Sequence, residues 1–395
     1  MLLGVNEFTR MSRMPGRAII SWLEGGVNGA AYTRAMGPVS ETPSIAIACD
    51  WVGVAETLSL TEHVDVATPS DPKKFRRLLL AWYDLHKRDL PWRASLDPYR
   101  VWLSEIMLQQ TRVAAVIEHY REFLRRFPTV EKLAAARESS VLAAWSGLGY
   151  YRRARMMHAA AKVIVREHDG KFPASVEGLR ALPGIGRYTA AAIASIAFEE
   201  PVAVVDGNVE RVLQRVAGKR LADEELWNAA NHLLDAKRPG DFNQAIMELG
   251  AVVCTPRAPE CLTCPVIELC VTRGELPPTG KTARQKKREI HYALHSRDGE
   301  VFLVQRARDA SLMPGMWELP ELASMNGERS PAFTLRHSIT VTDYTVRVWR
   351  AAAPAHADGK WIPVERLGNI PLTGLAGKIL RKAEIILSRS AVGRN

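Results

Sequence analysis

With 395 residues the chain is long enough for two or three domains that each bury a core. Lys and Arg number 53 against 43 Asp and Glu, a formal charge of +10 that suits a partner rich in phosphate. No apolar run of about 18 residues or more occurs, and the N-terminus lacks an uninterrupted apolar stretch ending in a small-residue cleavage site, which excludes a spanning helix. The expectation is a soluble, cytoplasmic protein.

Residues 1–70 mix Gly, Thr, Ser and Pro with short apolar runs and are assigned no fold; either a disordered extension or upstream sequence attached by a wrongly chosen start codon is expected. From Pro72 to Thr272 the apolar spacing is helical, broken by Pro and Gly, and predicts helices over Phe75–His86, Pro98–Phe127, Val130–Ser146, Arg152–His168, Val176–Leu182, Tyr188–Phe198, Val209–Val216 and Glu224–Leu234. Asp97-Pro98 supplies a cap and a first-turn proline, and Asp206 to Asn208 opens the helix that follows. Residues 71–274 therefore form one helical region. Residues 275–288, with Lys281, Arg284, Lys286, Lys287 and Arg288, read as a basic linker. Across 289–390 the period changes to two, predicting strands at His291–Ser296, Val301–Gln305, Ala332–Ser338, Thr340–Trp349 and Gly359–Pro363 and a closing helix at Leu372–Ile386, an α+β domain.

Four of the five cysteines, Cys254, Cys261, Cys264 and Cys270, crowd one loop, while Cys49 stands apart. Four thiolates on one loop read as a metal or cluster site in a reducing compartment, with iron–sulfur favoured over zinc, whose sites more often show paired C-x2-C knuckles. Arg257 lies between the first two cysteines and would face solvent or a phosphate. Leu182-Pro183-Gly184-Ile185-Gly186-Arg187 is a Gly-x-Gly turn before a helix, which either cradles a phosphate or simply joins two helices. Glu105 sits in a nearly all-apolar helical stretch, either on one solvated stripe or buried, where its pKa would rise and it would act as an acid near neutral pH. Asp206 after an apolar run is either a plain helix cap or a second working carboxylate.

Read jointly, Asp89-Leu90-Pro91-Trp92-Arg93, Leu103-Ser104-Glu105-Ile106-Met107-Leu108-Gln109-Gln110-Thr111, Gly147-Leu148-Gly149-Tyr150-Tyr151, the Gly184-Ile185-Gly186 hairpin, Val205-Asp206-Gly207-Asn208-Val209, Phe242-Asn243-Gln244, Met247-Glu248-Leu249-Gly250 and the four cysteines stand in one order. That order resembles the MutY-type adenine DNA glycosylases of the helix-hairpin-helix superfamily, from Phe75 to Ile386. The resemblance implies a mainly α glycosylase fold, one [4Fe–4S] cluster on the four cysteines, and a C-terminal Nudix-like domain that inspects oxidised guanine. It implies base excision repair: a monomer acting on duplex DNA with adenine opposite 8-oxoguanine or guanine, flipping the adenine and hydrolysing its glycosidic bond.

By the same resemblance Glu105 protonates the leaving adenine, Asp206 steadies the sugar cation, Tyr188 hydrogen-bonds near the pair, and Asn208 orients water and Asp206. Gln109, Gln110 and Tyr150 match wedge and mismatch-reading positions, while Arg88, Trp92, Arg93, Leu108, Gln244 and Met247 match the adenine pocket. Gly184, Gly186 and Arg257 would grip the DNA backbone. The endonuclease III family carries a Schiff-base lysine where this chain has Tyr188, so hydrolysis without strand cleavage is expected. Many members carry Phe-Ser-His on the guanine-reading strand; here Ile339-Thr340-Val341 stands instead, with Thr340 keeping a hydroxyl. After Trp317-Glu318-Leu319-Pro320 the acidic helix of a working Nudix hydrolase is absent, which predicts a reading module. Two alternatives compete: a bifunctional pyrimidine glycosylase and lyase, disfavoured by Tyr188, and a catalytically silent redox-sensing DNA-binding protein, disfavoured by the retention of Glu105 and Asp206.

Overall fold

The computed structural model describes residues 69–277, 286–323, 330–339 and 342–386; the N-terminal segment 1–68 with Cys49, and Thr340, lie outside the described residues. Among the described residues eleven α-helices run in order through the first part: α1 (Pro72–His86), α2 (Pro98–Leu108), α3 (Val113–Arg126), α4 (Val130–Ala134), α5 (Glu138–Ala144), α6 (Arg152–Glu167), α7 (Val176–Arg180), α8 (Arg187–Ala197), α9 (Gly207–Ala217), α10 (Asp223–Leu233) and α11 (Pro239–Val252). Among the described residues no helix is long and apolar enough to cross a membrane.

Local chemistry sets the helix starts. Asp97 Oδ1 accepts the amides of Tyr99 (2.8 Å) and Arg100 (3.3 Å), with Pro98 in the first turn. Asp206 caps α9 through the amides of Asn208 and Val209, and Gly218 at φ 71° ends that helix in the left-handed region. The stretch read as one helix over Pro98–Phe127 is two, because the chain breaks at Gln109–Arg112, with Gln110 at φ 55°. The stretch Val130–Ser146 is likewise split into α4 and α5.

Helix α11 was absent from the sequence reading. Its polar residues Asn243 and Glu248 are buried at 1% exposure, so no clean apolar stripe marks it. Asn243 explains why the position is polar: its Oδ1 accepts Val204 N (3.2 Å) and its Nδ2 donates to Val202 O (2.8 Å) and Ser195 Oγ (2.9 Å). This stitches the extended segment that delivers Asp206 to both α8 and α11. Helix α2 packs between α3 and α8, and α11 packs on α1, α8 and α9, around a core that includes Trp102, Trp145, Phe123 and Phe242.

The second part is α+β. Its strands are β1 (Lys286–Ala293), β2 (Ser296–Arg297), β3 (Glu300–Gln305), β4 (Trp317–Glu318), β5 (Glu321–Leu322), β6 (Phe333–Ile339), β7 (Thr342–Trp349) and β8 (Gly359–Pro363), followed by α12 (Gly374–Lys382). One sheet has the order β5-β1-β7-β6, with β1 and β7 parallel from Lys286↔Thr342 to Ala293↔Trp349; the other runs β2-β3-β4 with β8 on β3. Strand β1 therefore takes up Lys286, Lys287 and Arg288, the end of the stretch read as linker: as a sheet member it needs only backbone partners, and its first residues keep their basic side chains exposed. The two-residue strands β4 and β5 are too short to show a period. Val301, Leu303, Val346, Val348 and Ile379 fill this core.

The two parts meet at α5 and α6. Ser146 Oγ (3.1 Å) and Tyr151 Oη (2.9 Å) both donate to Leu372 O, Arg155 Nη2 donates to Pro314 O (2.6 Å), and Met316 is fully buried in the helical core.

Candidate active site

A cleft of about 1090 Å³ opens among α2, α8, α9 and α11. Its lining gathers the four expected catalytic residues, all six expected adenine-pocket residues, and Gln109, Gln110, Tyr150 and Gly184. Gly186 and Arg257 are not on that lining. Gly186 caps α8 next door, and Arg257 is exposed on the cysteine loop.

Within the hairpin only Gly184 is conformationally required. It sits at φ 75°, and a Cβ there would come within 2.5 Å of Met156 Cβ. Gly186 has φ −89° and ψ −179°, open to any residue, and a Cβ there would meet nothing within 4 Å. The first amides of α8 have no side-chain cap.

Glu105 lies on α2, whose residues Val101 to Met107 are all buried, so no solvated stripe exists for it. The residue is only 7% exposed. Burial pushes Glu105 up to about 7, helped by the nearby Asp206 charge and opposed by the hydrogen bond from Tyr188 and by Arg93. Tyr188 Oη donates to Glu105 Oε2 at 2.6 Å and lies 3.3 Å from Met247 Sδ. Burial and the same two carboxylates push the Tyr188 phenol well above its ordinary value, so it remains a donor.

Asp206 is held differently. Oδ1 accepts the amides of Asn208 (2.9 Å) and Val209 (2.8 Å), and Oδ2 accepts Asn208 Nδ2 (3.0 Å), at the positive end of the α9 dipole. Asn208 is fixed in turn by Arg211, whose Nη2 donates to Asn208 Oδ1 (2.8 Å) and Gly250 O (2.7 Å) while Nε donates to Cys254 O (2.8 Å). A Cβ on Gly250 would sit 2.7 Å from Asn208 Cβ, so α11 packs directly against Asn208.

A second buried glutamate took no role in the sequence reading. Glu248 accepts Arg88 N (3.1 Å), Nε (2.7 Å) and Nη2 (2.7 Å), and Arg93 Nη2 (2.9 Å). Burial alone would raise it, but the hydrogen bonds from Arg88 and Arg93 override that and hold it at about 2. Two glutamates in one cleft are thus driven in opposite directions, one toward an acid and one toward a permanent anion. Trp92 packs edge-on against Tyr120 at 5.6 Å, and Gln109 Nε2 donates to Thr189 Oγ1 at 3.3 Å. Gln244 and Leu108 are half-buried on the wall.

Arg153, Arg211 and Glu248 were all missed as site residues. The arginines bind mainly backbone carbonyls, which leave no complementary residue in the sequence. Glu248 stood inside a quoted motif, and a carboxylate within an apolar helix was the available signal.

The four cysteines ring one small cavity, which Arg215 also lines. Arg215 Nη1 donates to Cys254 Sγ at 3.3 Å, and Cys270 Sγ donates to Arg215 O at 3.3 Å. Burial, and secondarily the neighbouring thiols, push Cys261 up and Cys264 up to about 11. Among the described residues no three His, Cys, Asp or Glu side chains close on a single point.

Residues 103–232 match the HhH-GPD superfamily of base excision DNA repair proteins. The mouse adenine DNA glycosylase is 37% identical over 406 residues, an alignment that takes in 80% of this chain and 79% of the mouse protein. The chain belongs to the adenine DNA glycosylase family. The human adenine DNA glycosylase is 50% identical over 214 residues, covering 50% of this chain and 39% of the human protein. Among solved structures, a thermostable thymine-DNA glycosylase is 30% identical with a TM-score of 0.49, covering 51% of this chain and 96% of that one. Membership makes the chain a DNA glycosylase of helix-hairpin-helix type, and its cleft supplies two carboxylates in contrasting surroundings, as cleavage of a glycosidic bond requires.

Proposed function

We propose that this enzyme removes adenine mispaired with 8-oxoguanine or guanine in duplex DNA, hydrolysing the N-glycosidic bond and leaving an abasic site. The observation that carries the reading is the Tyr188–Glu105 hydrogen bond beside the capped Asp206: a carboxyl near pKa 7 facing a carboxylate surrounded by N–H donors. Glu105 in its acid form passes its proton to the departing base, Tyr188 holds that carboxyl in line, and Asp206 faces the developing oxocarbenium charge. Asn208, clamped by Arg211, orients Asp206 and the attacking water, whose proton passes to the Glu105 carboxylate left by the first step. Tyr188 has no amine, so no Schiff base forms and the strand is not cut by elimination.

The pocket residues Arg88, Trp92, Arg93, Leu108, Gln244 and Met247 hold the extruded adenine, with Glu248 locking the two arginines. Gln109, Gln110 and Tyr150 supply the wedge, and the bare turn at Gly186 lets a phosphate approach the free amides of α8. The C-terminal α+β part is a Nudix-like reader of oxidised guanine.

A [4Fe–4S] cluster fits Cys254, Cys261, Cys264 and Cys270. The four thiols line one cavity, four soft thiolate donors on one loop suit iron–sulfur ligation, and Arg215 already donates to the Cys254 sulfur. Such a cluster would pin the loop that carries Arg257. Cys264→Ser should lower the iron content per chain and the visible absorbance together.

Single-turnover release from duplexes with adenine opposite 8-oxoguanine, guanine or thymine tests the reading, with alkali revealing abasic sites. Release from the first two alone, lost in Glu105→Gln, is expected. Borohydride should trap no covalent complex. If no adenine is released, the substrate assignment falls.

A further inference from the structure

Arg153 stands in the first turn of α6, where a cation meets the positive end of the helix dipole and no acidic residue accompanies it. It is half-buried, its Nε has no hydrogen-bond partner, and among the described residues no carboxylate pairs with it. Burial pulls its pKa down to about 10. A guanidinium placed at such a disadvantage needs a compensating set of acceptors, and two separate loops provide it.

From one side come the carbonyls at the end of α2: Nη1 donates to Ile106 O (2.6 Å), Met107 O (3.2 Å) and Gln109 O, and Nη2 to Thr111 Oγ1 (3.2 Å). From the other side Nη2 donates to Leu148 O (3.2 Å) and Gly149 O (3.3 Å). The guanidinium also lies 5.5 Å from the Trp145 and Tyr150 ring centres. Each loop carries a non-glycine residue in the left-handed region, Gln110 at φ 55° and Tyr150 at φ 47°, a conformation that persists only where surroundings impose it. Both are exposed at the mouth of the cleft.

We infer that Arg153 is a positioning residue that ties the Gln109–Thr111 and Leu148–Tyr150 loops into one rigid wedge, so that both enter the duplex together to extrude the base. The inference rests on the glycosylase reading above. Its planar fork spans two loops at once, which the single ammonium of a lysine cannot do.

Two substrates separate extrusion from chemistry: adenine opposite 8-oxoguanine in full duplex, and adenine in a single-base bulge, where no pairing has to be broken. Arg153→Lys should slow release from the paired substrate by roughly ten- to a hundredfold, the scale of a misplaced positioning group, while release from the bulge changes far less. With 2-aminopurine at the target position and Glu105→Gln stopping the chemistry, the fluorescence rise on binding should shrink in the double variant. Equal slowing on both substrates, or an unchanged fluorescence rise, overturns the inference. If Arg153→Lys does not fold, Thr111→Val, which removes one acceptor, must show the same selective loss, and wild-type behaviour there overturns it too. A wild-type enzyme that releases adenine from neither substrate defeats the function reading and this inference with it.

Discussion

Replacing Glu105 by Gln should abolish base release and, above neutrality, make the fold more stable. In the native state the Glu105 carboxyl binds its proton up to about pH 7, whereas in the unfolded chain it releases it near 4.5. The native state therefore holds the extra proton between these values, and its stability falls as pH rises through that window and levels off above it. The gap between 4.5 and about 7, at about 1.4 kcal/mol per pH unit, comes to about 3 kcal/mol. Gln has no proton to lose and its amide oxygen can still accept from Tyr188. The stability of Glu105→Gln relative to wild type should thus grow across the window and plateau at no more than about 3 kcal/mol, since its buried NH2 also needs a partner. Urea melts at pH 4.5, 6 and 8, followed through the buried tryptophans Trp102 and Trp145, measure the difference, and titrations common to both proteins cancel. A difference that does not change with pH, or that favours wild type at pH 8, would refute the buried-acid assignment. Wild-type base release should decline in the same direction as pH rises past about 7.

Asp206→Asn keeps the cap of α9 through its amide oxygen but turns an NH2 toward Asn208 Nδ2, which Arg211 prevents from flipping, so its unfolding free energy should fall by about 1–3 kcal/mol, while single-turnover release drops roughly 10²- to 10³-fold for want of the anion. Glu248→Ala leaves Arg93, with only 15% of its side chain exposed, without its carboxylate; thermal melts should show a loss near the low end of about 3–5 kcal/mol, because Arg88 is 37% exposed and screened by water. The contribution of Glu248 is present above 4.5 and lost as pH falls toward about 2, so wild type and Glu248→Ala should converge in acid. Affinity for undamaged duplex, read by fluorescence anisotropy, should fall steeply with salt while the preference for the mismatch persists; a flat response would contradict phosphate-dominated binding.

What the sequence left undecided is concentrated at the cleft, and for physical reasons. Glu105 in an apolar stretch was compatible with a solvated stripe or a buried acid, and only the packing of α2 by both α3 and α8 removes the stripe. Asp206 as plain cap or as working carboxylate does not have to be a choice, since the residue that caps α9 also lines the cleft, and the N–H groups it caps surround its carboxylate. Helix α11 escaped because Asn243 and Glu248 face inward, and a period built on apolar residues cannot see polar ones that are buried and satisfied. The left-handed turns at Gln110 and Tyr150 carry no local signal, as neither side chain favours that conformation. Periodicity and capping, by contrast, located most of the other helices, the longer strands and α12. The misreadings at Glu105, Gln110, Tyr150 and Glu248 mark residues whose local preference is overruled by tertiary contacts, and all four line the cleft. Sites that break local rules need neighbours to hold them. Here Arg153, Arg211 and Glu248 are those neighbours, each buried or half-buried, and each bonded across segments far apart in the chain.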